Sequence, residues 1–417
     1  MLKKMSEYTY HYGLMARIYP STEQKQVISV NSNVNRFVYN KMVQLGKEIC
    51  VFGKPSIYIK VVDKRLTYLK ELKKSTTMLK GMYPWLCDKR IDSLAIANAK
   101  QNYSKAWNLY HKIHNISPPN YRKKGYEEKY QTNAQYNKKK IDIPTMNNGS
   151  CRFSKKHIVL PCLGKIRYKG SAKMLHKLFS MQEIRIGTIT ITKDACGYYY
   201  ASFQLASDTS FVEKLLKTGS KVGIDLNIEN FYADSNGYIE DNPKYYRKAK
   251  KRLSKAQRKL GKRMHRAKNE KRPLKDASNY QKQRLLIARM MKEIMKRRKN
   301  FLHNQSMTLI NNHDLVVAEE LRSKNMMKNH ALAMSIQDNG WRTFINMLAY
   351  KAKLYGKEFI TVNPKNTTQT CNKCGHIMKG EEKLTLKDRE WVCPVCGSYH
   401  IRDVNAAINV LNKGLIA

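Results

Sequence analysis

Four cysteines near the C-terminus constrain this chain more than any other feature. They stand as Cys371-x2-Cys374, an eighteen-residue gap, and Cys393-x2-Cys396. Four thiolates at that spacing satisfy a tetrahedral Zn2+ and leave no open coordination position, so the implied site is structural. Gly375 and Gly397 each follow a cysteine pair directly and relieve the backbone at the turns. His376 and His400 are surplus to the four ligands and are expected at the surface. Just beyond the second pair, Arg402-Asp403-Val404-Asn405-Ala406-Ala407 opens the last helix.

Asp403 sits on the helix face of Ala406, Ala407 and Val410, the face that should pack on a sheet. Two upstream acids are placed as unusually. Asp225 lies inside the strand pattern Val222-Gly223-Ile224-Asp225-Leu226-Asn227, on the face opposite Val222, Ile224 and Leu226. Glu319 ends the apolar run Leu315-Val316-Val317-Ala318. Each acid has an ordinary explanation alone: a strand-end residue, a partner for a lysine, a helix cap. The order strand-Asp, strand-Glu, helix-Asp in one basic chain points instead to a joint role. Buried unpaired carboxylates are costly, and a divalent cation offsets three at once. Asp225, Glu319 and Asp403 are therefore the candidate catalytic residues and ligands of Mg2+ or Mn2+. Two such ions would activate a water and stabilise the leaving oxygen in phosphodiester hydrolysis. Glu320 competes with Glu319. Alternation puts Glu319 on the face of Leu315 and Val317, but spacing does not settle the choice.

Charge names the partner class. The 417 residues hold 79 Lys+Arg against 32 Asp+Glu, a net +47. Such an excess repels itself unless a polyanion is bound, and nucleic acid is the obvious one. Residues 244–300 carry about two dozen Lys/Arg and three acids. Arg247, Lys251, Lys255, Arg258, Lys262 and Arg266 recur at helical steps as a nucleic-acid-binding stripe. Ile287, Met290, Met291, Ile294, Phe301 and Leu302 supply an apolar side for packing. There is no apolar run long enough to span a bilayer, and the N-terminus lacks the apolar stretch of a signal peptide, so a cytoplasmic protein without a membrane partner is expected. Cys50, Cys87, Cys151, Cys162 and Cys196 are scattered and fit a reducing compartment.

Patterning suggests an α+β, multidomain chain. A strand over 8–19 leads to a helix capped by Ser21, with a second helical region over 61–115 broken near Tyr83-Pro84-Trp85. Residues 118–140 read as a loop. Four β-rich stretches over 150–207 suggest a small β-barrel, completed by the first strand, with the helices as an insertion. After 215 come a strand over 221–227, an Asn-Gly hairpin, a long basic helical pair over 244–312 and a strand over 314–319. A helix over 335–356, a strand over 357–362, the ribbon and the last helix complete the chain.

These residues resemble the TnpB family, RNA-guided nucleases of insertion sequences related to compact type V CRISPR effectors. Val222-Gly223-Ile224-Asp225-Leu226 resembles its first RuvC motif. Val317-Ala318-Glu319-Glu320-Leu321 with Asn325-Met326 resembles the second, and so selects Glu319. Arg402-Asp403-Val404-Asn405-Ala406-Ala407 resembles the third. Thr367-Thr368-Gln369-Thr370-Cys371 resembles the approach to the ribbon, Arg298-Lys299-Asn300-Phe301-Leu302-His303 a helix before the second motif, and Arg36-Phe37-Val38-Tyr39-Asn40 the family's opening. Position 320 is Glu where the family commonly has Asp. The resemblance implies a wedge β-barrel (1–48 and 141–212) and a helical recognition insertion (49–140). It further implies an RNase H-like RuvC domain (213–369 and 398–417) interrupted by a zinc ribbon (370–397). It implies an endonuclease that binds a guide RNA, reads a short motif beside its target, and cuts double-stranded DNA at one site. It would be a prokaryotic monomer, or a dimer, nucleoid-associated when on target. The competing readings are a RuvC-like nuclease or transposase acting without a guide, and an RNA-guided repressor that binds without cutting.

Overall fold

The strand β1 (Tyr10–Tyr19) buries Leu14, Ala16 and Ile18 between more exposed neighbours, the pattern of a half-buried strand. It opens the first of two units, Met1–Phe211 and Val212–Ala417, seen in a computed structural model. The structure describes residues 3–52, 59–137, 139, 141–320, 330–385 and 387–416. Leu321, Asn325 and Met326 lie outside them. Ser21 follows β1 and caps α1 (Thr22–Phe52): its hydroxyl accepts from Gln24 N at 3.3 Å, and Gln24 Oε1 accepts from Ser21 N at 2.9 Å. Then come α2 (Ile59–Lys74), α3 (Thr76–Met82) and α4 (Ser93–Lys112). They pack with α1 around Val38, Met42, Leu45, Leu69, Ile96 and Tyr103.

The rest of the first unit is β2 (Glu128–Asn133), β3 (Arg152–Phe153), β4 (His157–Leu160), β5 (Gly164–Lys169), α5 (Ala172–Ser180), β6 (Arg185–Lys193) and β7 (Tyr199–Ser207). The strands form one sheet in the order β2-β6-β7-β1-β5-β4-β3, antiparallel throughout. The sheet cannot be flat. Phe153 on β3 and Phe203 on β7 are four strands apart, about 19 Å in a flat sheet, yet their rings meet at 4.9 Å. The chain at the two edges also meets, where Ser150 N donates to Gln135 O at 2.8 Å and Gln135 N to Ser150 Oγ at 2.9 Å.

The sequence expectation needs correction here. Residues 128–133, read as loop, form the edge strand β2, paired with β6. Only Tyr130 and Thr132 face the core from β2. Two inward residues among Glu128, Lys129, Gln131 and Asn133 are too weak an alternation to read. The short helix α5, capped by Ser171, was also missed.

In the second unit, β8 (Lys221–Leu226), β9 (Asn230–Asp234) and β10 (Ile239–Asp241) run antiparallel, turning at Asn236-Gly237 with Gly237 at φ 91°. Then come the basic pair α6 (Tyr245–Asn269) and α7 (Ser278–Asn312), β11 (Leu315–Glu319), α8 (His330–Asn339), α9 (Trp341–Tyr355), β12 (Glu358–Val362), the short strands β13 (Glu390–Val392) and β14 (Tyr399–Ile401), and α10 (Arg402–Ile416). The expected single helix over 335–356 is thus two helices. Gly340 parts them at φ 69°, a left-handed conformation that ends one helix before the next begins. The sheet order is β10-β9-β8-β11-β12, with β11 parallel to both β8 and β12. Val222, Ile224, Val316 and Ala318 share a core with Leu302, Leu309, Phe344 and Leu348 of α7 and α9.

The other face of this sheet takes α10, which lies almost on the backbone. A Cβ at Gly223 would fall 2.2 Å from Ala407 O and 2.6 Å from Leu411 N. A Cβ at Gly414 would fall 2.5 Å from a Val317 methyl. Gly223→Ala must push the helix off the strand. The expected loss is about 3 kcal/mol or more, measured as a drop of several degrees in the thermal melting midpoint.

Candidate active site

The seating of α10 decides which side chains meet. Ala407 covers Gly223, and Gly414 covers Val317. One step along the parallel register, in which Ala318 pairs with Ile224, stand Glu319 and Asp225. Alternation puts both acids on the face that carries α10. Asp403, one helical turn before Ala407, lies at the same end of that face. All three are buried at 6–7% exposure, whereas Glu320 is exposed and donates its N–H to Val362 O at 2.8 Å. Glu319, and not Glu320, is therefore the acid on the buried face beneath α10.

Each acid has a distinct environment. Asp403 Oδ1 accepts from Arg402 Nε and Nη2, both at 3.2 Å; its Oδ2 accepts from Asn227 Nδ2 at 3.1 Å and lies 3.6 Å from Arg389 Nη1. Glu319 accepts from the buried hydroxyl of Thr367. Burial pushes the Asp225 carboxyl well above the usual carboxylate range; Glu319 and then Asp403 push it the same way, and Arg402 opposes them. Burial likewise raises Glu319, against the Thr367 hydroxyl and Lys413. Three crowded carboxylates offer hard oxygen donors of the kind that suit Mg2+ or Mn2+. Their oxygens are not gathered as tightly as the thiolates. Among the described residues, the four cysteines are the one group of three or more potential ligands whose donor atoms all lie within 4.8 Å.

Those cysteines fit a metal closely. Cys371 and Cys396 sulfurs are 3.7 Å apart, Cys374 and Cys393 sulfurs 3.6 Å. Tetrahedral zinc with Zn–S near 2.3 Å requires about 3.8 Å between sulfurs. The two halves are built alike: Gly375 N donates to Cys371 O and Gly397 N to Cys393 O, each at 2.9 Å, with the glycines at φ 77° and 70°. His400 corrects the sequence expectation. It is 5% exposed, its Nε2 lies 3.1 Å from Cys371 Sγ, and its ring lies 4.5 Å from that of Trp391. The missed signal was alternation along β14, where Tyr399 and Ile401 face out. His376 is half-buried, with Nε2 2.9 Å from Glu382.

Sequence reasoning also assigned no role to Asn227, Thr367, Arg389 and Arg402, whose side chains hold the acids. Asn405 and Asn409 of α10 bind the approach to the ribbon: Asn405 Nδ2 reaches Thr370 O at 2.8 Å, and Asn409 Nδ2 reaches Thr367 O at 2.9 Å and Thr370 O at 2.7 Å. The six residues of the basic stripe are all exposed, along the side of α6 away from buried Leu253, Ala256 and Ala267. Arg247 reaches Ser335 Oγ at 2.6 Å and Arg266 pairs with Glu270 at 2.9 Å.

Comparison with known proteins follows the same parts. Family descriptions match at residues 341–410 ("Cas12f1-like, TNB domain"), 202–330 (OrfB_IS605, "Probable transposase") and 13–49 (HTH_OrfB_IS605, "Helix-turn-helix domain"). The last span is here the greater part of β1 and α1. A Streptomyces pristinaespiralis protein named "Putative RNA-guided DNA endonuclease" is 36% identical over 231 residues, 55% of this chain and 53% of that protein. The resemblance to the TnpB family holds. The Escherichia coli (strain K12) protein "Putative RNA-guided DNA endonuclease InsQ" is 29% identical over 272 residues, 62% of each chain. The matches thus span little more than half the length of these relatives, 53% and 62%. Among solved structures, the cryo-EM structure of the Cas12f1–sgRNA–target DNA complex has a chain like this one, with a TM-score of 0.55 and 15% identity over 97% of this chain and 99% of that one. That likeness is one of fold: a mixed α/β architecture of the compact Cas12 kind. No helix among the described residues is long and apolar enough to cross a membrane.

Two outcomes are expected. Elemental analysis should find one zinc per chain, lost in Cys393→Ser together with several degrees of melting temperature. Asp225 has a folded pKa above its unfolded value. Its contribution to stability is therefore present below the unfolded pKa, near 4, and lost as pH rises through the folded pKa. Asp225→Asn should then raise the melting temperature of metal-free protein by several degrees at pH 8 and by less near pH 4. An unchanged melting curve at pH 8 would show that neither burial nor the neighbouring acids disfavour the Asp225 anion.

Proposed function

We propose that this chain is an RNA-guided DNA endonuclease with one metal-dependent site made by Asp225, Glu319 and Asp403. The observation that carries the reading is the convergence of three buried carboxylates, from β8, β11 and α10, on one face of the sheet. The names of the curated relatives support the guided form of the activity. The curled seven-stranded sheet with α1 is read as a wedge β-barrel and the α2–α4 helices as the recognition insertion. The second unit is read as an RNase H-like RuvC domain carrying a zinc ribbon over 370–397.

The chain's own groups define the chemistry. Asp225 and Glu319, on neighbouring parallel strands, and Asp403, on the helix above them, would hold Mg2+ or Mn2+. When bound, such ions activate a water and stabilise the leaving oxygen of a phosphodiester. Thr367 orients Glu319 by donating to it. Arg402 and Asn227 orient Asp403 from opposite sides. The exposed stripe Arg247, Lys251, Lys255, Arg258, Lys262 and Arg266 holds phosphates of the guide RNA or of target DNA. Four thiolates at zinc keep the ribbon folded beside α10 and take no part in hydrolysis.

The test is cleavage, in Mg2+, of a plasmid that carries a guide-matched target beside a randomised flank. The enzyme is purified with its co-expressed RNA, and Asp225→Ala is run in parallel. Cutting by the wild type alone, lost after RNase treatment, is the expected result. Cutting that survives RNase would replace the guided reading with a guide-independent nuclease. Target binding without cutting would leave a repressor.

A further inference from the structure

A cleft of about 450 Å3 lies in the first unit between α1 and the chain that leads into β2. Its volume is within the roughly 300–1,000 Å3 of small-molecule sites. We propose that this cleft holds one nucleotide of a single-stranded nucleic acid.

The lining is strongly cationic. Arg36 of α1, the run Arg122-Lys123-Lys124 and Lys129 of β2 face only Glu127 and Glu128. Glu128 Oε1 is already paired with Lys193 at 2.8 Å, and its buried Oε2 has no partner among the described residues. The basic run is built into the fold although it has no regular secondary structure. Arg122 N donates to Asn40 Oδ1 at 2.7 Å, Asn40 Nδ2 donates back to Arg122 O at 3.0 Å, and the Arg122 guanidinium lies 3.5 Å over the buried ring of Tyr39. Lys123 and Lys124 are therefore held in place while they remain exposed.

The cleft also offers more than charge. Ser32 and Asn35, both 7% exposed, line it, and Ser32 Oγ and Asn35 Oδ1 have no hydrogen-bond partner among the described residues. Asn35 spends its Nδ2 on Lys129 O at 3.1 Å, which leaves its buried carbonyl oxygen without a partner among the described residues. Buried polar atoms without partners are costly and are normally completed by a ligand or water. A merely solvated basic loop needs neither the Asn40 clamp nor orphaned groups behind it. A ligand that brings an anion to Lys123, Lys124 and Lys129 and hydrogen-bonding edges to the polar floor of Ser32 and Asn35, whose buried atoms a small side-chain shift would expose, suits this lining, and a nucleotide is such a ligand. Unpaired bases splay out singly and are read on their edges, which suits a cleft of about 450 Å3.

The inference rests on the nucleic-acid binding proposed above and not on cleavage. Binding of RNA and DNA single strands of one sequence, each carrying a photoreactive 4-thiopyrimidine, is measured by anisotropy over a salt series with the full chain freed of nucleic acid. Three double variants are compared: K123E/K124E at the cleft, K251E/K255E on the α6 stripe, and K155E/K156E on an exposed turn as control. The cleft variant should weaken one strand type at least ten-fold, with an unchanged melting temperature. It should flatten the salt slope by about 1.4, for two single-strand phosphate contacts. The strand type affected identifies the source, guide or target. Irradiation of the wild type should join that strand to peptides spanning 29–36 or 122–131. If the cleft variant matches the control while the stripe variant weakens binding, the cleft proposal fails alone. If neither weakens binding, nucleic-acid binding through both surfaces fails with it. Crosslinks confined to other peptides would also overturn the cleft.

Discussion

The candidate active site depends on how closely α10 approaches β8. Ordinary helix–sheet packing is set by side chains on both partners. Here Gly223 supplies none, and Ala407 O and Leu411 N of the helix occupy the space that a Cβ would fill. Gly414 repeats the arrangement over Val317 at the other end of the helix. Two contacts one strand apart fix both the height and the direction of α10, and so bring Asp403 to the end of the sheet where Asp225 and Glu319 stand. A carboxylate is short. Without the glycines, the trio would be spread by the thickness of a side-chain layer.

The same helix end is held from the other side by the ribbon. Asn405 and Asn409 take the carbonyls of Thr367 and Thr370, and Asn405 Oδ1 accepts from Asn372 N at 3.0 Å. Arg402 extends from the first turn of α10 to Thr385 O at 3.0 Å while its guanidinium also binds Asp403. A metal held by the four cysteines would stiffen a loop that is otherwise long and irregular, and that loop contacts the start of α10, where Asp403 stands. This links the folding of the cysteine cluster with the geometry of the carboxylates. It also explains in physical terms why the third acid follows the second cysteine pair so closely in the chain.

Repulsion within the trio is the counterpart of this order. Asp225 is disfavoured as an anion by burial first and by its two acidic neighbours next. Fold stability and the proposed capacity for divalent cations pull against each other here, as is common where a site is built for a charged ligand. Elsewhere the positive excess is kept at the surface. The α6 stripe stands clear of Leu253, Ala256 and Ala267, and the run at 122–124 is clamped at the surface by Asn40.

Local pattern determined much of this protein. The cysteine spacing, the capped start of α1, the central strands and the basic helical pair each follow from residues within one element, where period and turn chemistry act. Asp225, Glu319 and Asp403 could be singled out because an acid in an apolar strand, or on the packing face of a helix, conflicts with its neighbours. The edge strand β2 was hidden because only two of its residues point inward. The inward turn of His400 and the roles of Asn227, Thr367, Arg389 and Arg402 could not be read, because their partners are distant in sequence or are backbone atoms. Only the tertiary structure decided that Glu319 and not Glu320 faces α10, how far the first sheet curls, and how near the acids come. Those are matters of distance between elements, set by a glycine's missing Cβ and by carbonyls that side chains from elsewhere in the chain must reach.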